Sequence, residues 1–242
     1  MKKHKGLKLG VVAVLLLCGV CWAYAADYYH ADDAAVAAMR PAADVTVEQK
    51  GNTLAFIPEN AETGMIFYPG GKVEYTAYAP LMRALANNGV LGVLVRMLLN
   101  LAVLNMNAAN GIPEQYPQIK HWYIGGHSLG GSMAASHAAK NASAYDGLVL
   151  LASYSTADLS TSGLPVISIY GSEDGVLNME KYAEYRRNFP TVFEEHIIEG
   201  GCHAGFGSYG PQDGDGVPTI TGEEQIAGTA RLLTAFFDSA QE

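Results

Sequence analysis

From Val45 onward, short apolar runs alternate with segments of helical periodicity, and this alternation restricts the chain to an α/β architecture. The runs Gly64–Tyr68, Val90–Val95, Trp122–Ile124, Leu148–Ala152 and Val166–Tyr170 are short and almost free of charge, as strands buried on both faces must be. Val192–Ile198 is a further strand. Helical patterns fall between the strands at Tyr78–Asn88, Met97–Asn110, Leu129–Lys140 and Met179–Phe189, and beyond them at Gln225–Phe237. Strands joined through helices pair in parallel, so the expectation is a mainly parallel sheet with helices on both faces. Val45–Gln49 and Leu54–Pro58 flank the turn material Gly51-Asn52 and read as an edge hairpin.

With 242 residues and 49% apolar content, the chain supports one sizeable core. We place that domain at 44–242, after a polar connector at 27–43. Residues 1–26 are set apart as an N-terminal apolar helix: Lys2, Lys3, Lys5 and Lys8 precede an uncharged run from Leu9 to Ala26. The run suits a membrane anchor, with Trp22, Tyr24, Tyr28 and Tyr29 at the outer headgroups. It equally suits a signal peptide cut after Ala23-Tyr24-Ala25. Both place the domain outside the cytoplasmic membrane, because the lysines stay inside.

The net charge of −9 excludes nucleic acid as a partner, since phosphate binding needs clustered Lys and Arg. Without residues 1–26 the balance is 11 basic to 24 acidic residues. Cys18 and Cys21 lie in the apolar run, where Leu16-Leu17 before Cys18 argues against a lipoprotein signal. Cys202 is then alone, so the domain has no disulfide to form.

Chemistry concentrates at Gly126-His127-Ser128-Leu129-Gly130, which follows a strand and opens a helix. A nucleophile on such a turn is strained and needs neighbours without side chains, which Gly126 and Gly130 supply. A serine hydroxyl also needs a base, and the base an orienting acid. The elbow sets the chain order Ser, acid, His. Asp174 follows the strand Val166–Tyr170, and His203 follows Val192–Ile198, each at the strand end where parallel sheets build sites. Rivals are weaker. Asp158 lies in a Ser/Thr-rich loop, Glu173 adjoins Asp174, His127 is locked beside the serine, and His196 lies within a strand. Cys202 beside His203 reads as packing.

Acyl transfer also needs oxyanion donors. The backbone N–H of Leu129 is one, and Gly71 or Lys72, in the loop Pro69-Gly70-Gly71-Lys72, supplies the other. No zinc ligand set is present, and Asp213-Gly214-Asp215-Gly216 lacks the carboxylates of a calcium loop, so no metal or cofactor is expected.

The loop Tyr68-Pro69-Gly70-Gly71, the elbow with Gly131, Tyr170–Gly175 and Gly200–Gly207 together resemble the α/β-hydrolases, and specifically the compact "alpha/beta hydrolase fold-5" family related to dienelactone hydrolases. The resemblance spans roughly Gly64 to Phe237. It implies a hydrolase without cofactor, often carried on an N-terminal membrane segment. Dienelactone hydrolases use a cysteine nucleophile where this chain has Ser128, which argues against a dienelactone substrate.

Leu98–Met106 is read either as a core helix or as the wall of an acyl pocket, and Phe206–Pro218 as a site-mouth segment or a surface loop. No insertion is long enough for a large lid, which favours small or short-acyl esters. The leading reading is hydrolysis of a small-molecule ester through an acyl-enzyme on Ser128. Transfer to another acceptor, amide cleavage, and a catalytically silent tethered binding protein are the alternatives. No protein partner can be inferred.

Overall fold

A computed structural model describes residues 19, 24, 26–42 and 44–240. The strands are β1 (Val45–Lys50), β2 (Thr53–Pro58), β3 (Thr63–Tyr68), β4 (Val90–Val95), β5 (His121–His127), β6 (Gly147–Leu151), β7 (Val166–Gly171) and β8 (Phe193–Ile198). They form one sheet in the order β1-β2-β4-β3-β5-β6-β7-β8. The β1–β2 hairpin and the β2–β4 pair are antiparallel, and every later pair is parallel. The helices are α1 (Asp33–Ala38), α2 (Ala79–Ala86), α3 (Leu129–Ala138), α4 (Met179–Tyr185) and α5 (Gly222–Ser239).

The pleat divides the core in two. Along β3, Met65 and Phe67 pack with Leu81, Met82 and Leu85 of α2 and Leu233, Phe236 and Phe237 of α5. Ile66 and Tyr68 point the other way, against Ala134, Ala135 and Ala138 of α3. The small side chains of α3 let that helix settle close to the sheet, which keeps Ser128 near the strand ends. Buried apolar area of this kind is the main favourable term in the fold.

One expectation is corrected. Met97–Asn110 is not a helix: it forms 3-10 turns at Leu98–Asn100 and Ala102–Leu104, with Leu99 and Asn100 at positive φ. Its four asparagines compete for backbone groups, which disfavours a continuous helix. The connector is ordered against the domain: Asp32 caps α1, Tyr29 N–H donates to the Lys72 carbonyl at 2.8 Å, and Glu74 N–H donates to that of Tyr29 at 2.9 Å. The N-terminal apolar helix falls almost wholly outside the described residues, and no helix among those described is long and apolar enough to cross a membrane.

Candidate active site

Ser128 stands alone between β5 and α3, with φ 52° and ψ −122°. The close approach explains the glycines around it. A Cβ at Gly126 would lie 2.5 Å from the Tyr68 carbonyl oxygen, and one at Gly130 would overlap the carbonyls of Tyr68 and Pro69. The Ser128 N–H donates to the Leu151 carbonyl at 2.9 Å, and Ser153 Oγ donates to the Ser128 carbonyl at 2.7 Å. The elbow is therefore tied to the end of β6 and the loop after it, and the strained conformation is held from both sides.

Asp174 follows β7 and buries its carboxylate almost completely. Oδ1 accepts the backbone N–H groups of Val176 at 2.9 Å and Leu177 at 2.8 Å, and Oδ2 lies 2.9 Å from His203 Nδ1. An ionised carboxylate only accepts, so Nδ1 of His203 carries the proton and Nε2 presents a lone pair. The His203 side chain is 1% exposed, and its Nε2 has no hydrogen-bond partner among the described residues. Its ring packs on that of His127, the residue preceding Ser128, with centroids 4.4 Å apart. The sheet thus brings Ser128, Asp174 and His203 to one edge, and Asp174 and His203 are paired there.

The two candidate donors of the Pro69–Lys72 loop differ in their hydrogen bonding. Gly70 N–H donates to Tyr78 Oη at 3.0 Å, and Lys72 N–H donates to the Asn100 carbonyl at 2.8 Å. Lys72, at φ 58°, is thereby committed elsewhere, and Gly71 retains the uncommitted N–H of this loop. Gly71 also lies against Leu129, since a Cβ built on it would be 3.0 Å from Leu129 Cδ2.

Residue types alone did not flag three supporting groups. Tyr78 Oη, having accepted from Gly70, lies 2.8 Å from His127 Nδ1 and links the oxyanion loop to the elbow. Burial, then the neighbouring His203, holds His127 far below the usual histidine range, so it stays neutral. Gln225 of α5 grips the base loop, accepting the Cys202 N–H at 3.0 Å and donating to the Cys202 carbonyl at 2.8 Å. Asp215 ties the acid and base loops together: Oδ1 accepts N–H groups from Gly175 and His203 at 3.1 Å and Gly216 at 2.9 Å, and Oδ2 accepts that of Ala204 at 2.8 Å. The segment after His203 is therefore a brace for the site.

Burial opposes ionisation of Asp215, but these N–H bonds outweigh it and hold its pKa below the ordinary value. A depressed folded-state pKa adds stability above the unfolded value near 3.8, which is lost as pH falls through the folded one. Asp215→Ala should cost about 1–3 kcal/mol at pH 7 by stripping the partner from those donors. It should also lower kcat, as His203 loses its register. Urea unfolding at pH 7 and pH 3 checks this, and the gap between wild type and variant should shrink at pH 3.

The rivals lie apart. Asp158 is in an exposed turn, accepting both the N–H and the hydroxyl of Ser160. The Glu173 carboxylate is paired with Ser172, and His196 lies 3.4 Å from Glu194 on β8. Cys202 is a buried free thiol, its pKa pushed up to about 11 by burial, with Asp215 adding to the effect. A cavity of about 960 Å³ lies behind the base loop, lined by Arg83, Cys202 and Ile226, and Ser128 does not line it.

The strand order, the serine elbow and the later acid and histidine loops define an α/β-hydrolase. The chain belongs to the alpha/beta hydrolase family, which it matches over residues 64–227. No curated protein sequence matches it. Among solved structures it is similar to dienelactone hydrolase from Anabaena variabilis ATCC 29413, with TM-score 0.59, 14% identity, and 81% of this chain and 98% of that one covered. It is also similar to Est1E from Butyrivibrio proteoclasticus, with TM-score 0.57, 12% identity, and 81% and 100% covered. A third is TT1662 from Thermus thermophilus, with TM-score 0.57, 17% identity, and 82% and 98% covered. At these identities the likeness is one of fold.

Proposed function

We propose that the chain is a serine hydrolase that cleaves carboxylic esters through an acyl-enzyme on Ser128. The observation that carries this reading is the His203–Asp174 pair, which leaves a buried, unbonded Nε2 at the sheet edge that carries a strained serine. Nε2 takes the Ser128 proton as Oγ attacks the ester carbonyl, and Asp174 stabilises the resulting imidazolium. The tetrahedral oxyanion is met by the N–H groups of Leu129, at the start of α3, and Gly71. His203 then passes its proton to the departing alkoxide, which leaves as the alcohol. Water, deprotonated by the same nitrogen, releases the carboxylic acid and restores Ser128. Every proton is accounted for by His203, and the steps use no cofactor.

The domain works on the outer side of the cytoplasmic membrane, with Lys2, Lys3, Lys5 and Lys8 retained inside. A fluorophosphonate probe tests the chemistry: stoichiometric labelling should map to Ser128 and vanish in Ser128→Ala. Labelling at another residue, or none in folded protein, would sink the reading.

A further inference from the structure

Four large apolar side chains left open to solvent fall within seven residues of one another. Leu98 is 65% exposed, Val103 51%, and Leu99 and Leu104 50% each. They lie on the loop after β4, at the sheet end that carries Ser128, and the Lys72–Asn100 backbone hydrogen bond fixes that loop beside the oxyanion loop. A solvated surface has no use for such a cluster, which marks a contact.

Two observations say with what. The first is where the N-terminal run arrives. Asp27 Oδ2 lies 2.6 Å from Lys72 Nζ, and the same ammonium sits 4.5 Å from the centre of the Tyr24 ring. The uncharged run Leu9–Ala26 therefore ends next to this loop. Eighteen residues would span about 27 Å as a helix, close to the thickness of a hydrocarbon core. The second is charge. The chain has 24 acidic residues, yet none lies between Glu74 and Glu114, and Arg96 stands exposed at the foot of the loop. An apolar tip whose own segment carries no carboxylate, with Arg96 exposed at its foot, matches the boundary of lipid headgroups and acyl chains.

We infer that this face rests on the lipid bilayer, with Leu98, Leu99, Val103 and Leu104 inserted at the headgroup boundary. The site mouth then opens at the membrane, and its substrates are amphiphilic esters drawn from the bilayer. The substrate class rests on the hydrolase reading above; the membrane contact does not. It stands against the expectation of small or short-acyl esters that the missing lid suggested.

The test uses the full-length chain in phosphatidylcholine vesicles with brominated acyl chains. The tryptophan emission added by Leu104→Trp should be quenched at least twofold. That added by Val192→Trp, which precedes β8 at the opposite end of the sheet, should be unchanged. In parallel, a Leu98→Ser/Leu104→Ser double variant should lose about tenfold on a long-acyl ester carried in vesicles and keep its rate on a water-soluble acetate ester. Unquenched Leu104→Trp emission in an enzyme that cleaves esters overturns the membrane face and leaves the hydrolase standing. Quenching in a protein that cleaves neither ester supports the membrane face and overturns the hydrolase and the substrate class. Equal loss on both esters makes the loop part of the site and overturns the bilayer contact.

Discussion

Ser128→Ala should lose ester turnover by at least roughly 10⁴-fold while keeping its fold. The hydroxyl is the only group at the elbow that can form the acyl bond. Among the described residues none holds the fold through Oγ, because the tethers at this residue are its N–H and carbonyl. The backbone adds a second, separable outcome. At φ 52° a side chain is strained whether it is Ser or Ala, so the alanine variant should unfold at nearly the wild-type temperature. Ser128→Gly removes that strain, which costs on the order of 1–3 kcal/mol. It should therefore be as inactive as Ser128→Ala yet measurably more stable. Melting curves beside rates on a soluble ester check both. A glycine variant less stable than the alanine one would mean the elbow is not strained.

Asp174→Asn should lower kcat by on the order of 10⁴ with the fold intact. The asparagine oxygen can still accept from Val176 and Leu177, so the loop keeps its shape. Its amide nitrogen, however, donates to Nδ1 and moves the imidazole proton to Nε2, where it blocks attack. Asp158→Asn should leave the rate within about twofold, since it changes only an exposed turn. Rates at saturating substrate for the two variants decide the matter. A larger loss in Asp158→Asn would place the acid after β6.

The strands were legible because they lie between helices and turns that end them. Val90–Val95 runs the same residues in sequence and structure, and both hairpin strands are where their turn implied. That the candidate trio shares one sheet edge was legible because strand order converts chain order into position. What was hidden depends on backbone groups. Asp215 looks like a loop carboxylate until the N–H groups of Gly175, His203 and Ala204 converge on it, and no pattern of side chains announces that. The start of α5 was available: Thr221 and Glu224 form a reciprocal capping box that opens four residues ahead of the apolar periodicity at Gln225. The loop after β4 misled because its leucines have helical spacing, while its geometry answers to the neighbouring oxyanion loop.

The Gln225 clamp on Cys202 bears on when this chain can first act. The base loop is fixed by a side chain twenty-three residues further on, from a helix that packs beside α2 on the same face of the sheet. A nascent chain on the ribosome can complete the serine elbow, and even β7 with its acid, long before Gln225 emerges. Until then the loop that carries His203 lacks its grip. Candidate nucleophile and base are separated in synthesis as well as in sequence, so the site as a whole takes shape only when α5 has docked.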